Sequence, residues 1–261
     1  MLEILRSELL REAGFPDHGF TTREGGVSQG PYAALNLAHD VGDDPAAVAE
    51  NLTRLKSAIG ADAPLLRVRQ VHGKRVADAA ELIAEGAGSW TDPPSIEADG
   101  ITGSGLDAVL AVQVADCAPV LLADPKSGAV AAVHAGWRGA AGGVVRNAVK
   151  HLAHLGIEPR SLLAAIGPCI CQSCYEVGPE VARRFPESCD PIEDRPDKFL
   201  LDLPYAVEAS LITAGLTGPN IDRLGVCSRC DEKLFSVRGV GGGDCGRTLG
   251  FIRCYKEPPA R

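Results

Sequence analysis

The chain has 261 residues, 45% of them apolar and 23% charged, and a formal net charge of −8. Such a length buries a sizeable core as one large domain or two modest ones. The acidic balance, with no basic stripe carrying interleaved aromatics, argues against broad nucleic-acid binding, and no run approaches the roughly 18 consecutive apolar residues of a membrane span. The opening Met1-Leu2-Glu3-Ile4-Leu5-Arg6 has an acidic residue early and no apolar core with a small-residue cleavage site, which predicts a soluble cytoplasmic protein. Nine cysteines are an odd number. In a reducing compartment they read as free thiols, or as a few metal-bound thiolates, rather than disulfides.

In chain order, residues 7–14 predict a short helix stopped by Gly14 ahead of Pro16. The following Thr21-Thr22-Arg23-Glu24-Gly25-Gly26-Val27-Ser28-Gln29-Gly30-Pro31-Tyr32 is too glycine-rich for regular structure. Asp43 or Asp44 caps a helix with Pro45 in its first turn; Val48, Leu52, Leu55 and Ile59 recur at helical spacing until Gly60. Residues 65–71 read as a buried strand closing on His72, and residues 85–94 as loop. Ala98-Asp99-Gly100 leads into two apolar runs, 109–114 and 129–133, with the turn Asp124-Pro125-Lys126-Ser127-Gly128 between them. Gly142 and Gly143 open a helix in which Val145, Ala148, Leu152 and Leu155 share a face, stopped by Gly156. Residues 162–166 are a further strand, 179–185 and 204–214 two helices, 223–226 strand-like, and 249–254 a last strand. Helices and strands mix without strict βαβ alternation. The expected fold is therefore a single α+β domain over residues 1–261, with mixed β-sheets flanked by helices. The GxGxxG and GxxxxGK[ST] motifs are missing, which weighs against dinucleotide and P-loop folds.

Chemistry concentrates in Ala115-Asp116-Cys117-Ala118-Pro119 and His134-Ala135-Gly136-Trp137-Arg138-Gly139, each placed after a strand. His72, in Gln70-Val71-His72-Gly73, ends a third. One thiol and two imidazoles suit a three-ligand zinc site with one position left for water. His18, His39, His151 and His154 read as ordinary core or surface histidines. Trp137-Arg138-Gly139 ahead of a helix, and Arg23 beside Gly25-Gly26, are places where a guanidinium and backbone N–H groups can meet an anion. Cys169-x-Cys171-x-x-Cys174 and Cys227-x-x-Cys230 have the spacing of a structural zinc knuckle, although no separate small module surrounds them. Cys189, Cys245 and Cys254 carry no pattern.

Ordered motifs run through nearly the whole chain: Thr22-Arg23-x-Gly25-Gly26-Val27-Ser28, Pro31-Tyr32-x-x-Leu35-Asn36-Leu37, Gln70-Val71-His72-Gly73, Ala98-Asp99, Ala115-Asp116-Cys117-x-Pro119-Val120, Ala132-Val133-His134-Ala135-Gly136-Trp137-Arg138-Gly139 and Gly167-Pro168-x-Ile170. Glu176-Val177-Gly178, Leu201-Asp202, Phe235-Ser236 and Gly246-Arg247 continue them. With these the chain resembles the bacterial polyphenol oxidase/laccase-domain family, also described as multifunctional purine nucleoside phosphorylases and peptidoglycan editing factors. The resemblance implies a zinc held by His72, Cys117 and His134. It further implies phosphorolysis of adenosine, inosine and methylthioadenosine, with adenosine deamination beside it, so that a small nucleoside and phosphate are the expected partners. The four-cysteine pattern is not part of the family motif, and Arg238-Gly239 with Gly241-Gly242-Gly243 departs from a tail usually richer in Arg. Copper is a possible alternative metal. A four-copper oxidase site, however, needs on the order of ten histidines, and the chain has six.

The mechanism expected from this reading gives Asp116 or Asp99 the proton shuttle or the support of the ligands. Arg23 and Arg138 are the phosphate-positioning residues, with Asp99 near substrate, and Gln70 is a base or ribose contact. Two rivals stand beside it. One is a metal-free cysteine hydrolase or amidase acting on peptidoglycan precursors, with Cys117 as nucleophile and His134 as base. The other is a non-enzymatic zinc- or copper-binding module.

Overall fold

The computed structural model describes residues 2–257. The chain opens with β1 (Ile4–Leu5), α1 (Glu8–Glu12), β2 (His18–Thr21) and α2 (Pro45–Ala58). Ser7 caps α1 by accepting from the Leu10 N–H; Asp44, followed by Pro45, caps α2 in the same way through the Ala46 N–H. Next come β3 (Leu65–Leu66), β4 (Val76–Asp78), α3 (Ala79–Ala84), β5 (Gly100–Gly103), β6 (Ala108–Val114), β7 (Ala118–Ala123) and β8 (Val130–Ala135). Two consecutive helices follow, α4 (Trp137–Gly142) and α5 (Val144–His154), broken at Gly143, whose φ of 87° belongs to the left-handed region. The remainder is β9 (Leu163–Ile166), β10 (Glu176–Val177), α6 (Pro179–Ala182), β11 (Cys189–Ile192), β12 (Arg195–Leu201), α7 (Leu203–Thr213), β13 (Ile221–Arg223) and β14 (Thr248–Cys254).

Two mixed sheets form the body, one ordered β1-β2-β14-β6-β3 and the other β13-β9-β7-β8-β5-β4. Leu110 and Val112 of β6 and Ile252 of β14 pack against Leu121 of β7, Ala132 of β8 and Ala165 of β9, so the sheets share a core. Val48, Leu52 and Leu55 of α2 cover the outer face of the first sheet through Val109, Ala111 and Phe251. On the outer face of the second, Val145, Ala148 and Leu152 of α5 and Val207 and Leu211 of α7 cover Val120, Leu122, Ala131 and Val133. Both sheets are thus buried on both faces. Their central strands accordingly read as unbroken apolar runs and not as alternating ones. A small third sheet, β10-β12-β11, sits beside α6. The α+β class with mixed sheets is as expected.

Several expected elements shift. The run 65–71 is a strand only at Leu65–Leu66; the chain then touches Glu97 through a single bridge at Arg69 and bends into His72. Residues 109–114 and 129–133 do not pair with each other. β6 belongs to the first sheet, and the turn at 124–128 joins β7 to β8 in the second. Trp137 and Arg138, expected in a loop ahead of α5, open a short helix of their own, α4, before it; Leu155 follows α5 and is exposed. The Arg223–Val226 segment contributes only its first residue, to β13. No helix among the described residues is long and apolar enough to cross a membrane.

Candidate metal centre and ligand cavity

Between β6 and β7 the chain leaves one sheet and enters the other. Ala115-Asp116-Cys117 makes that crossing, with Asp116 at φ 87°. Cys117 therefore lies at the seam of the two sheets, immediately before β7. Ala118 pairs with Ala135 and Pro119 with His134, which brings β8 alongside. His134 is inside β8, one residue before its end, and not in the loop beyond.

His72 reaches the same point from its own loop. The N–H groups of Val71, His72 and Gly73 all donate to the Asp99 carboxylate, at 3.3, 2.9 and 2.6 Å. Wrapping three successive amides round one carboxylate bends the backbone, and His72 takes φ 57°. His72 and Asp116 are the non-glycine residues of positive φ among the described residues. Strained backbone of this kind persists where the surroundings over-determine it, and clusters at functional sites.

The ligand atoms of His72, Cys117 and His134 all lie within 4.8 Å of one another. His72 Nε2 is 4.0 Å from Cys117 Sγ, and the two imidazoles meet edge to face with centroids 4.9 Å apart. Asp99, fully buried, also accepts from His134 Nδ1 at 2.8 Å. That bond fixes the proton on Nδ1 and leaves Nε2 as the free donor atom, the arrangement usual for metal-ligating histidines. Burial pushes the Cys117 thiol up, but His134 and His72 outweigh it and bring it to about 6. Burial likewise lowers His134, while the Cys117 thiolate and Asp99 raise it to about 9. Burial raises Asp99 too, yet the hydrogen bonds from His134 and Gly73 hold it below the usual carboxylate range. The donor set of one thiolate, two imidazoles and a buried carboxylate behind them fits a three-ligand zinc site. Its outer side is open, since His72 is exposed, Cys117 half-buried and His134 buried.

The trio forms the floor of a cavity of about 350 Å³. Gln70, Asp116 and Arg138 line it as well, together with Asp40, Gln113, Trp137, Tyr175, Arg238 and Arg247. Among the described residues Arg138 makes no ion pair; its guanidinium lies over the Trp137 ring at 4.3 Å. Asp116 is spoken for: Ser228 and Ser236 hydroxyls donate to Oδ1 at 2.7 and 2.6 Å, and the Arg238 N–H donates to Oδ2 at 2.8 Å. Gln70 is also engaged at both ends, donating to the Gln113 carbonyl at 2.8 Å and accepting from its N–H at 2.7 Å.

Three expectations are corrected here. Arg23 does not line the cavity: its Nε donates to the Ala33 carbonyl at 2.6 Å and its guanidinium lies over the Phe235 ring, which makes it a brace of the glycine-rich loop. Asp99 does not line the cavity but sits behind the trio, its oxygens taken by His134 and three backbone amides, so of the roles expected of it the support of the ligands is the one its contacts match. Asp116 in this arrangement anchors the 228–238 segment and is not a free shuttle. Tyr175, Arg238 and Arg247 carry no sequence pattern that places them at the cavity. The nearest signals are the Gly246-Arg247 pair and the departure at Arg238-Gly239. Of the remaining histidines, His18 is buried and accepts from the Ser7 N–H at 3.0 Å, while His154 is exposed on α5.

Residues 17–255 match the family model described as multi-copper polyphenol oxidoreductase laccase. A protein of Deinococcus radiodurans named purine nucleoside phosphorylase is 41% identical over 230 residues, covering 86% of this chain and 84% of its own. A protein of an unknown prokaryotic organism named adenosine deaminase RL5 is 34% identical and covers 91% of this chain and 93% of its own. The crystal structure of YlmD from Geobacillus stearothermophilus superposes with a TM-score of 0.81 at 34% identity, covering 91% of each chain. With the match running from residue 17 to residue 255 and the fold shared throughout, the chain belongs to the laccase-like polyphenol oxidoreductase family that includes these nucleoside enzymes.

Proposed function

We propose that the protein is a zinc-dependent purine nucleoside enzyme that cleaves adenosine, inosine and methylthioadenosine with phosphate and also deaminates adenosine. The observation that carries the reading is the convergence of His72, Cys117 and His134 on one point, with Asp99 orienting His134, at the floor of a cavity of about 350 Å³. That volume suits a small organic ligand. Relatives bearing both enzyme names support the substrate class. Zinc bound by the trio supplies a Lewis acid that lowers the pKa of water toward neutrality.

The chain's own residues do the positioning. Phosphorolysis forms a bond from a phosphate oxygen to C1′ of the ribose as the bond to the purine breaks, and positive charge develops on the sugar. Arg138, Arg238 and Arg247, which all line the cavity, hold the anion in reach, in place of Arg23. Trp137 and Tyr175 offer flat apolar surface to the purine. Gln70 fixes the Gln113 backbone and so keeps the β6 end of the cavity in shape.

The test is to incubate the purified chain with adenosine, with and without phosphate. Adenine and ribose 1-phosphate are expected only when phosphate is present, and inosine in either case. His134→Ala, purified in parallel, is expected to lose turnover together with the ion held by this trio, one metal ion per chain fewer than the parent. Equal activity in that variant overturns the reading. The lowered Cys117 thiol beside His134 favours the metal-free cysteine hydrolase as the second reading. Activity that survives metal removal, with a covalent adduct on Cys117, decides for it.

A further inference from the structure

The two Cys-x-x-Cys pairs come from distant parts of the chain, Cys171 and Cys227 being 56 positions apart. The fold nonetheless lays them side by side. A parallel bridge joins Cys169 to Cys227, the Cys169 N–H donates to the Val226 carbonyl at 3.2 Å, and the Ser228 N–H donates to the Cys169 carbonyl at 3.0 Å. From that register the sulfur atoms of Cys171, Cys174, Cys227 and Cys230 all fall within 4.8 Å of one another. The Cys174 and Cys230 sulfurs are 3.4 Å apart. All four are free cysteines, and that separation is far longer than a disulfide bond of about 2.05 Å.

Four thiolates round one zinc at about 2.3 Å each sit about 3.8 Å from one another, the edge of the tetrahedron. The observed cluster brackets that edge before any ion has drawn it in. Its surroundings also suit thiolates. The Cys171 N–H points at Cys227 Sγ at 3.3 Å, and the Ser173 hydroxyl lies 3.2 Å from Cys171 Sγ. Arg229, between the second pair, donates to the Cys174 carbonyl at 3.4 Å and adds positive charge next to the sulfurs. Such contacts to coordinated sulfur are the usual support of a thiolate site. Soft S4 donors select zinc or iron among the available cations, and four protein ligands leave no open position for substrate.

We propose that Cys171, Cys174, Cys227 and Cys230 bind a second zinc ion, structural in role, that staples the loop after β9 to the segment before β14. The staple bears on the ligand cavity. Ser228, next to Cys227, and Ser236 and Arg238 further along hold Asp116 at the seam of the sheets, and the Arg238 guanidinium lies over Tyr175, next to Cys174. Closing the four sulfurs round one ion fixes the ends of the two segments that bring Tyr175 and Arg238 to the cavity. The proposal is independent of the nucleoside reading and of what the first centre holds.

The deciding measurement is elemental analysis of the whole protein, purified under reducing conditions, beside the His72→Ala/His134→Ala variant. That variant is expected to keep one zinc per chain. Its cobalt(II)-exchanged form is expected to show the intense sulfur-to-cobalt charge-transfer absorption of a four-thiolate tetrahedral site. Adding Cys171→Ser and Cys227→Ser is expected to remove that zinc and to lower Tm by several degrees. Cobalt absorption in the parent variant stands as evidence even if the fourfold variant does not fold. No stoichiometric metal in the His72→Ala/His134→Ala protein, iron instead of zinc, or a Cys174–Cys230 disulfide in its peptide map overturns the proposal.

Discussion

Gly136 caps α4 with φ −73°, a conformation open to any residue, so the glycine there answers to space and not to backbone freedom. A Cβ at that position would stand 2.9 Å from Cys117 Sγ and 3.0 Å from His72 Cδ2. Two ligands of the trio would have to move apart. Gly136→Ala is therefore expected to weaken metal binding by about 10–100-fold, the range seen when the surroundings of a ligand set are disturbed, with the far-ultraviolet circular dichroism unchanged. Metal competition titration checks it, and native affinity in the variant counts against the trio. At this scale the sequence was informative where chemistry and loop position coincide. His72, Cys117 and His134 each stand beside small residues at the edge of an apolar run. The sequence offered Asp99 as a support of the ligands, but nothing in the spacing announces that the support goes to His134 and to three amides of another loop. Arg23 was misplaced for the converse reason, because an arginine near glycines looks alike whether it meets an anion or a phenyl ring.

The helices were legible where caps and periodicity agree, as in α2 with Asp44, Pro45 and its buried Val48, Leu52 and Leu55. β7 was not legible, because Asp116 and Pro119 are loop formers, and proline is rare inside a sheet. Pro119 is accommodated as the second residue of its strand, and its carbonyl still accepts from the Gly167 N–H at 2.9 Å. α4 was hidden by its own glycines, Gly139 and Gly142, and β11 and β12 by exposed polar residues. The junction of α1 and β2 gives a pH prediction. His18 at the start of β2 accepts from the Ser7 N–H that opens α1, so its Nε2 must be unprotonated. Burial lowers its pKa from 6.5. The unfolded chain thus binds this proton first, and stability is full above 6.5, then is lost as pH falls from there through the folded value. Urea midpoints measured between neutral and mildly acid pH are expected to show that loss in the native chain and a flatter profile in His18→Gln. Parallel profiles would remove His18 from the account.

Across the whole molecule the apolar runs of β6 and β8 foretold buried strands, but not which sheet each joins. Pairing depends on the crossing at Ala115-Asp116-Cys117, which no local pattern marks. The layer between the sheets should be the most costly place to open a hole. Leu110, fully buried there, is expected to cost about 2–5 kcal/mol on truncation to Ala. Ile83, an exposed residue of α3, is expected to stay within about 0.5 kcal/mol. Equilibrium denaturation of the two variants tests the contrast; equal losses would contradict a core shared by the sheets. The crossing itself has a mechanical corollary. His72 lies in the loop that carries the chain from β3 in one sheet to β4 in the other, Cys117 closes the second such crossing, from β6 to β7, and His134 stands on β8 beside it. An ion gripped by all three works as a clasp across both crossings, so pulling them open means letting go of it. Occupancy and resistance to unfolding then rise and fall together, by mass action.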